Sequence, residues 1–238
     1  MDYKLYLKTQ KPIKFYDICK IYQPSFDEIL ELGMQEFDKL LLPFIVTVDS
    51  LNIDIPDEEK EKIKSFDIVV GSREIADCFF TSLEFFSKSK IGFDEGGIFF
   101  EGFEGRLNKD NFDELAEIIL EINARQRPTK ERVPLFKNEL QKDIWNKLQE
   151  GRRRDAQKNE LKFEDVLNCC EFGGNSYIPV EEILRWSLWR IMSCYKSIMG
   201  ISSYKDCFSI YLISGEKSLI EGKHWTELIK LDYKTKEY

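Results

Sequence analysis

Apolar side chains recur every three to four residues along most of this chain, a spacing that lines one face of a helix. The plainest case runs from Asn111 to about Ala124, where Phe112, Leu115, Ile118, Ile119 and Ile122 share a stripe. A second stripe opens at Pro24-Ser25 and carries Phe26, Ile29, Leu30, Met34, Phe37, Leu40 and Leu41. Asp27 and Glu28 fall in its first turn, where the helix dipole favours anions, and Pro43 is expected to end it. From Ser72 to about Ser87, Ile75, Cys78, Phe79, Leu83 and Phe86 align in the same way, and a short acidic helix is expected from Asp57. Near the C-terminus, Pro179 and Gly200 bracket a run with the start and stop residues of a helix. Ile183, Leu184, Leu188, Ile191, Met192, Tyr195 and Met199 give that run a wide apolar face. A further helix is predicted from Ser203 to Ile213, ended by Gly215.

Two short stretches break this rule. Tyr3, Leu5 and Leu7 alternate with polar residues, and after a turn near Gln10-Lys11-Pro12 come Phe15, Ile18 and Ile21-Tyr22, which reads as a small strand pair. Ile91-Gly92-Phe93 and Ile98-Phe99-Phe100 flank Asp94-Glu95-Gly96-Gly97, and paired glycines supply the positive φ of a tight hairpin turn. The expected fold class is therefore α+β and predominantly α-helical. It has a small N-terminal strand pair, a hairpin near 91–100 and a C-terminal helical bundle.

Charge divides the chain. The whole carries a net charge of −8, but residues 1–124 hold −12, residues 125–158 hold +6 and residues 159–238 hold −2. The middle block is poor in apolar residues and opens on Pro128 and Pro134, as a linker or exposed helix does. The division that follows is an acidic α+β domain over 1–124, a basic helix or linker over 125–160, and a helical region over 161–238. An acidic chain is a poor ligand for nucleic acid or an anionic membrane. The longest apolar run, 40–46, is far short of the ~20 residues of a membrane span. The N-terminus lacks the apolar block of a signal peptide, so the expected location is the cytoplasm.

Catalytic patterns are not visible in the sequence. His224 is the one histidine, between Lys223 and Trp225, and nucleophilic catalysis usually needs a base beside the nucleophile. Gly102-Phe103-Glu104-Gly105 lacks the lysine and hydroxyl of a phosphate loop, and Asp94-Glu95-Gly96-Gly97 lacks the alternating oxygens of a calcium loop. Cys19, Cys78, Cys169, Cys170, Cys194 and Cys207 show no CxxC pair, which points to six free thiols rather than a zinc site or a disulfide framework. No catalytic residue, cofactor or metal is expected, and the work of the chain falls to protein binding.

Two features are candidates for that work. Trp186 and Trp189, with Met192, extend the apolar face of the 179–200 helix around its cylinder, and a helix apolar over so much of its circumference is either buried or an interface. The expectation is that Trp186 or Trp189 is partly exposed and meets a partner or a second copy. Arg152, Arg153 and Arg154 form the sharpest charge feature, suited to an acidic partner or the acidic N-terminal part. A nucleic-acid site would interleave aromatics with the cations, and only Trp145 and Phe136 qualify, so the block reads rather as a solvated helix joining two acidic bodies.

Lys11-Pro12-Ile13 followed by Ile21-Tyr22-x-Pro24-Ser25-x-x-Glu28-Ile29-x-x-x-Gly33 is similar to the start of a group of proteins from tailed phages and prophages of Gram-positive bacteria. Ile183-Leu184-x-Trp186-Ser187-Leu188 and Lys223-His224-Trp225 are similar to their ending. Those proteins belong to virion morphogenesis, and the N-terminal layout resembles the tail assembly chaperones. The resemblance implies a host-cytoplasmic factor that coats the tape-measure protein, recruits tail-tube subunits and is absent from the finished particle. Many such chaperones occur in short and frameshifted long forms, and the charge layout here suits a long form. The competing expectations are a structural virion component, such as a tail-completion or baseplate protein, and an enzyme or anti-defence effector whose site the sequence does not display.

Overall fold

The strand pair near the N-terminus forms one step later than the alternation of Tyr3, Leu5 and Leu7 suggests. In the computed structural model, which describes residues 3–48, 63–127, 139–158 and 162–216, those residues make a short helix, α1 (Lys4–Thr9). Positions 3 and 7 are one helical turn apart, so Leu7 is buried and Tyr3 packs beside it, while Leu5 turns out and is 70% exposed. Strands β1 (Ile13–Phe15) and β2 (Cys19–Ile21) then pair antiparallel, with Ile13 opposite Ile21 and Phe15 opposite Cys19. Their alternation is complete: these four side chains are buried and Lys14 and Lys20 are exposed.

The stripe from Phe26 to Leu41 is divided between two helices, α2 (Phe26–Leu32) and α3 (Met34–Ile45). Gly33 separates them at φ +90, a left-handed value that favours glycine. The change of direction leaves Leu30 and Met34 exposed, while Phe26, Ile29, Phe37, Leu40 and Leu41 enter the core. Pro43 does not stop α3. It sits in the last turn, and the carbonyl its missing N–H leaves free, that of Lys39, accepts from Cys78 Sγ at 3.1 Å.

Helix α4 (Ser65–Gly71), which the sequence did not suggest, leads through Ser72 into α5 (Arg73–Ser87). The acidic helix expected from Asp57 lies outside the described residues. Helices α3 and α5 pack on each other, and α3 also packs on α6 (Phe112–Ile122), whose five predicted inward residues are all buried. Between them lies a phenylalanine cluster: Phe44 contacts Phe79, Phe86 and Phe112, and Phe66 reaches Phe79 and Phe112.

The hairpin forms as predicted, β3 (Ile91–Asp94) against β4 (Gly97–Phe100), and β5 (Arg106–Leu107) adds a third antiparallel strand. At Gly97, φ is +123 and a Cβ would stand 2.3 Å from the Leu107 carbonyl oxygen, so glycine is required there twice over. Gly105 ties this sheet to the first one: its N–H donates to the Asp17 carbonyl at 2.8 Å.

Helix α7 (Glu139–Lys158) accounts for most of the basic block. Beyond it come α8 (Phe163–Phe172), α9 (Val180–Leu184) and α10 (Leu188–Ser214). The helix expected over 179–200 is therefore broken at Arg185–Ser187, and its second piece runs through Gly200 into the helix expected from Ser203. Glycine inside a helix costs about 1 kcal/mol, too little to stop one that is otherwise continuous. Gly215, at φ +71, does end it.

The break is built against the N-terminal segment. Phe26 N–H donates to the Trp186 carbonyl at 2.8 Å, Ser187 N–H donates to Gln10 Oε1 at 2.6 Å, and Ser187 Oγ bonds Gln23 Oε1 at 3.2 Å. Ser187 also caps α10 by accepting from Arg190 N–H. Val166, Cys170, Ile183, Trp186, Leu188, Trp189 and Ile191 thus belong to the same buried cluster as residues 7–122.

Candidate interaction surface and cysteine cluster

Helix α10 has 27 residues, so it rises about 40 Å. Only its first turn is buried, through Leu188, Trp189 and Ile191. The far half is apolar and open: Met199, Phe208, Ile210, Leu212 and Ile213 are exposed, Leu212 at 67% and Ile213 at 90%. Tyr204 stacks on Phe208 and Phe208 leans on Tyr211, each with ring centroids 6.2 Å apart. From 199 to 214 the only formal charges are Lys205 and Asp206, which cancel. Phe208 and Leu212 lie one turn apart on one side of the helix, while Met199, Ile210 and Ile213 fall on the other, so distal α10 presents two narrow apolar edges.

A second apolar edge lies on α7, where Leu140, Ile144 and Leu148, four residues apart, are exposed. Lys142, Lys147 and the exposed Arg152 share that helix. Arg153 and Arg154 also lie in α7, but their side chains fall outside what the structure describes.

The tryptophans expected at an interface are in the core instead: Trp186 is 6% exposed and Trp189 4%. The break at Arg185–Ser187 is the cause, because it folds Trp186 onto the body rather than leaving it on the outer face of a straight helix. Trp186 Nε1 donates to Glu182 Oε1 at 3.2 Å, and the Arg190 guanidinium covers its ring at 4.4 Å. Met192 is half-buried against the same core. The surface that is open lies about four to six turns beyond Met192, in the segment read from sequence as a separate short helix. Its signal was Phe208, Tyr211, Leu212 and Ile213 crowding several sides of the helix with few charges between them.

The structure also joins three cysteines that look scattered in sequence. Cys169 and Cys170 end α8, and Cys194 lies on α10, which α8 packs along. The fully buried Cys170 donates its S–H to the Ile191 carbonyl at 3.5 Å. The neighbouring Cys170 thiol and the Arg190 charge hold the Cys194 thiol below its ordinary value, against burial. Cys170 moves the opposite way, raised by the neighbouring Cys194 and by burial. All six thiols are free.

Among the described residues no group of three or more His, Cys, Asp or Glu is placed to hold a metal, and no helix is long and apolar enough to cross a membrane. His224 lies outside them. No protein-family model, curated protein or solved structure matches the chain.

Proposed function

We propose that the chain is a non-enzymatic protein-binding factor that works through the distal half of α10, with tail assembly, as the sequence resemblance implies, as its setting. One observation carries this reading: distal α10 leaves Phe208, Leu212, Ile210 and Ile213 exposed, with Lys205 and Asp206 as the only charged residues between 199 and 214. Leaving such a surface in water is unfavourable, and covering it by another chain recovers that free energy. Because the net charge of 199–214 is zero, the partner it suits is an apolar stripe of another helix rather than a charged groove.

Tape-measure and tail-tube proteins are the partners the resemblance implies. The test is co-expression of the full chain with tape-measure and tail-tube proteins from the same genome, followed by affinity capture through a tag on this chain. Capture of a tape-measure or tail-tube protein that is lost in a Phe208→Glu/Leu212→Glu variant of unchanged melting temperature supports the proposal. Absence of capture by the parent chain, or capture by the variant at parental yield, contradicts it.

A further inference from the structure

Strand β3 is the outer strand of the three-stranded sheet and pairs with β4 alone. The Lys90 carbonyl accepts from Glu101 N–H at 2.9 Å, one position beyond the pair of Ile91 and Phe100. Antiparallel ladders alternate, so Lys90, Gly92 and Asp94 turn their backbone groups to β4, and Ile91 and Phe93 turn theirs outward. Among the described residues no strand pairs with that outer edge, and a bare edge is a template for another strand. Phe93 lies on the same sheet face as the buried Ile98, Phe100 and Leu107, yet it is 59% exposed, because the core ends before it reaches the edge. On the opposite face, Lys90 and Asp94 stand at the two ends of the strand with opposite charge. Lys90 is exposed, and the Asp94 side chain stays 40% exposed although it holds Arg106 Nε at 2.8 Å.

We propose that two copies of this chain join β3 to β3, antiparallel, about a two-fold axis at Gly92. The edge is complementary to itself. In the register that sets Ile91 opposite Phe93 of the second copy, each of these residues exchanges both its outward backbone bonds with the other. The same register lays the exposed Phe93 ring beside Ile91 of the second copy, an aromatic and β-branched pair on the apolar face. It also sets Lys90 opposite Asp94 of the second copy, in a non-hydrogen-bonded pair where side chains approach most closely. Other arrangements lose these matches. Parallel strands in register would face Lys90 with Lys90, and a slip by one residue would turn the wrong backbone groups to each other. A slip by two, in either direction, sets Lys90 against a glycine, Gly92 or Gly96. Gly92 meets itself at the axis and has no side chain to hold the strands apart. The two three-stranded sheets become one continuous sheet through an isologous contact.

This contact is separate from the interface assigned to distal α10, and the test keeps the two apart. Sedimentation velocity of the full chain over a hundredfold range of concentration should show monomer and dimer in exchange. Lys90→Glu sets like charges opposite each other and should shift the chain to monomer with unchanged circular dichroism. Phe93→Pro removes an outward N–H that the hairpin itself does not use, and should do the same, since edge strands accept proline at such positions. Phe208→Glu/Leu212→Glu should leave the dimer intact. A zero-length carbodiimide, applied to a mixture of unlabelled and ¹⁵N-labelled chain, should join Lys90 to Asp94 between copies. Within one chain the two residues are about 13 Å apart along the strand, too far to be joined directly. If Phe93→Pro unfolds, Lys90→Glu and the cross-link decide. A chain that is monomeric throughout overturns the proposal. So do dimers that survive Lys90→Glu, dimers lost in the α10 variant, or links between copies that omit Lys90 and Asp94.

Discussion

Glu28 holds three donors at the start of α2. Ser25 N–H reaches its Oε2 at 2.8 Å, Ser25 Oγ bonds the same oxygen at 3.2 Å, and Lys88 Nζ bonds Oε1 at 2.7 Å. Ser25 Oγ in turn accepts from Glu28 N–H, completing a capping box. Burial alone would raise the Glu28 carboxyl, but the Lys88 and Ser25 bonds outweigh it and the group is held below the usual value. A carboxyl depressed in the folded state contributes stability above its unfolded pKa, and that stability is lost as pH falls through the folded one. Glu28→Gln should therefore flatten the acid side of the stability–pH curve in urea titrations. Ser25→Ala should cost about 1 kcal/mol at neutral pH by the same measurement. Trp189 shows the other residue-scale extreme. Its burial predicts that Trp189→Ala costs about 3–5 kcal/mol, against about 0.5 or less for Leu212→Ala, whose side chain is largely exposed. Equal costs for the two would mean that the division between core and open surface on α10 is misplaced.

At the scale of elements, periodicity located the inward faces well and the boundaries less well. The faces of α5 and α6 and the hairpin turn were legible because each is set by local spacing and local turn chemistry. The breaks at Gly33 and at Arg185–Ser187 were not, because tertiary partners decide them. Ser187 leaves the helical path to meet Gln10 and Gln23, more than 160 residues away. Pro43 was read as a stop because the donor that satisfies the freed Lys39 carbonyl comes from another helix. The two-residue strand β5 was too short to show a period of two. Its geometry nonetheless makes Gly97 irreplaceable, and Gly97→Ala should cost at least about 1–3 kcal/mol and lower the melting temperature, since both φ and the Leu107 carbonyl oppose a Cβ.

For the whole molecule, the expected fold class holds: the described chain is predominantly helical, with a two-stranded and a three-stranded antiparallel sheet. Sequence divided it by charge, but residues 163–191 share one core with the acidic N-terminal part, a union made by Trp186, Trp189 and Ser187 that no charge count reveals. The same union explains why the candidate surface was read several turns too early. The break takes the tryptophans inward, and what stays open is the helix beyond Met199. The packing of α8 along α10 was illegible for a related reason, since the two helices meet only in the fold. The central claim is that the distal half of α10 binds another chain. Its most direct test is capture of co-expressed tape-measure and tail-tube proteins by the parent chain and by Phe208→Glu/Leu212→Glu, with melting temperatures measured in parallel. The account predicts capture by the parent, loss in the variant and equal melting temperatures. Capture that survives in a folded variant, or a parent that captures neither protein, would contradict it.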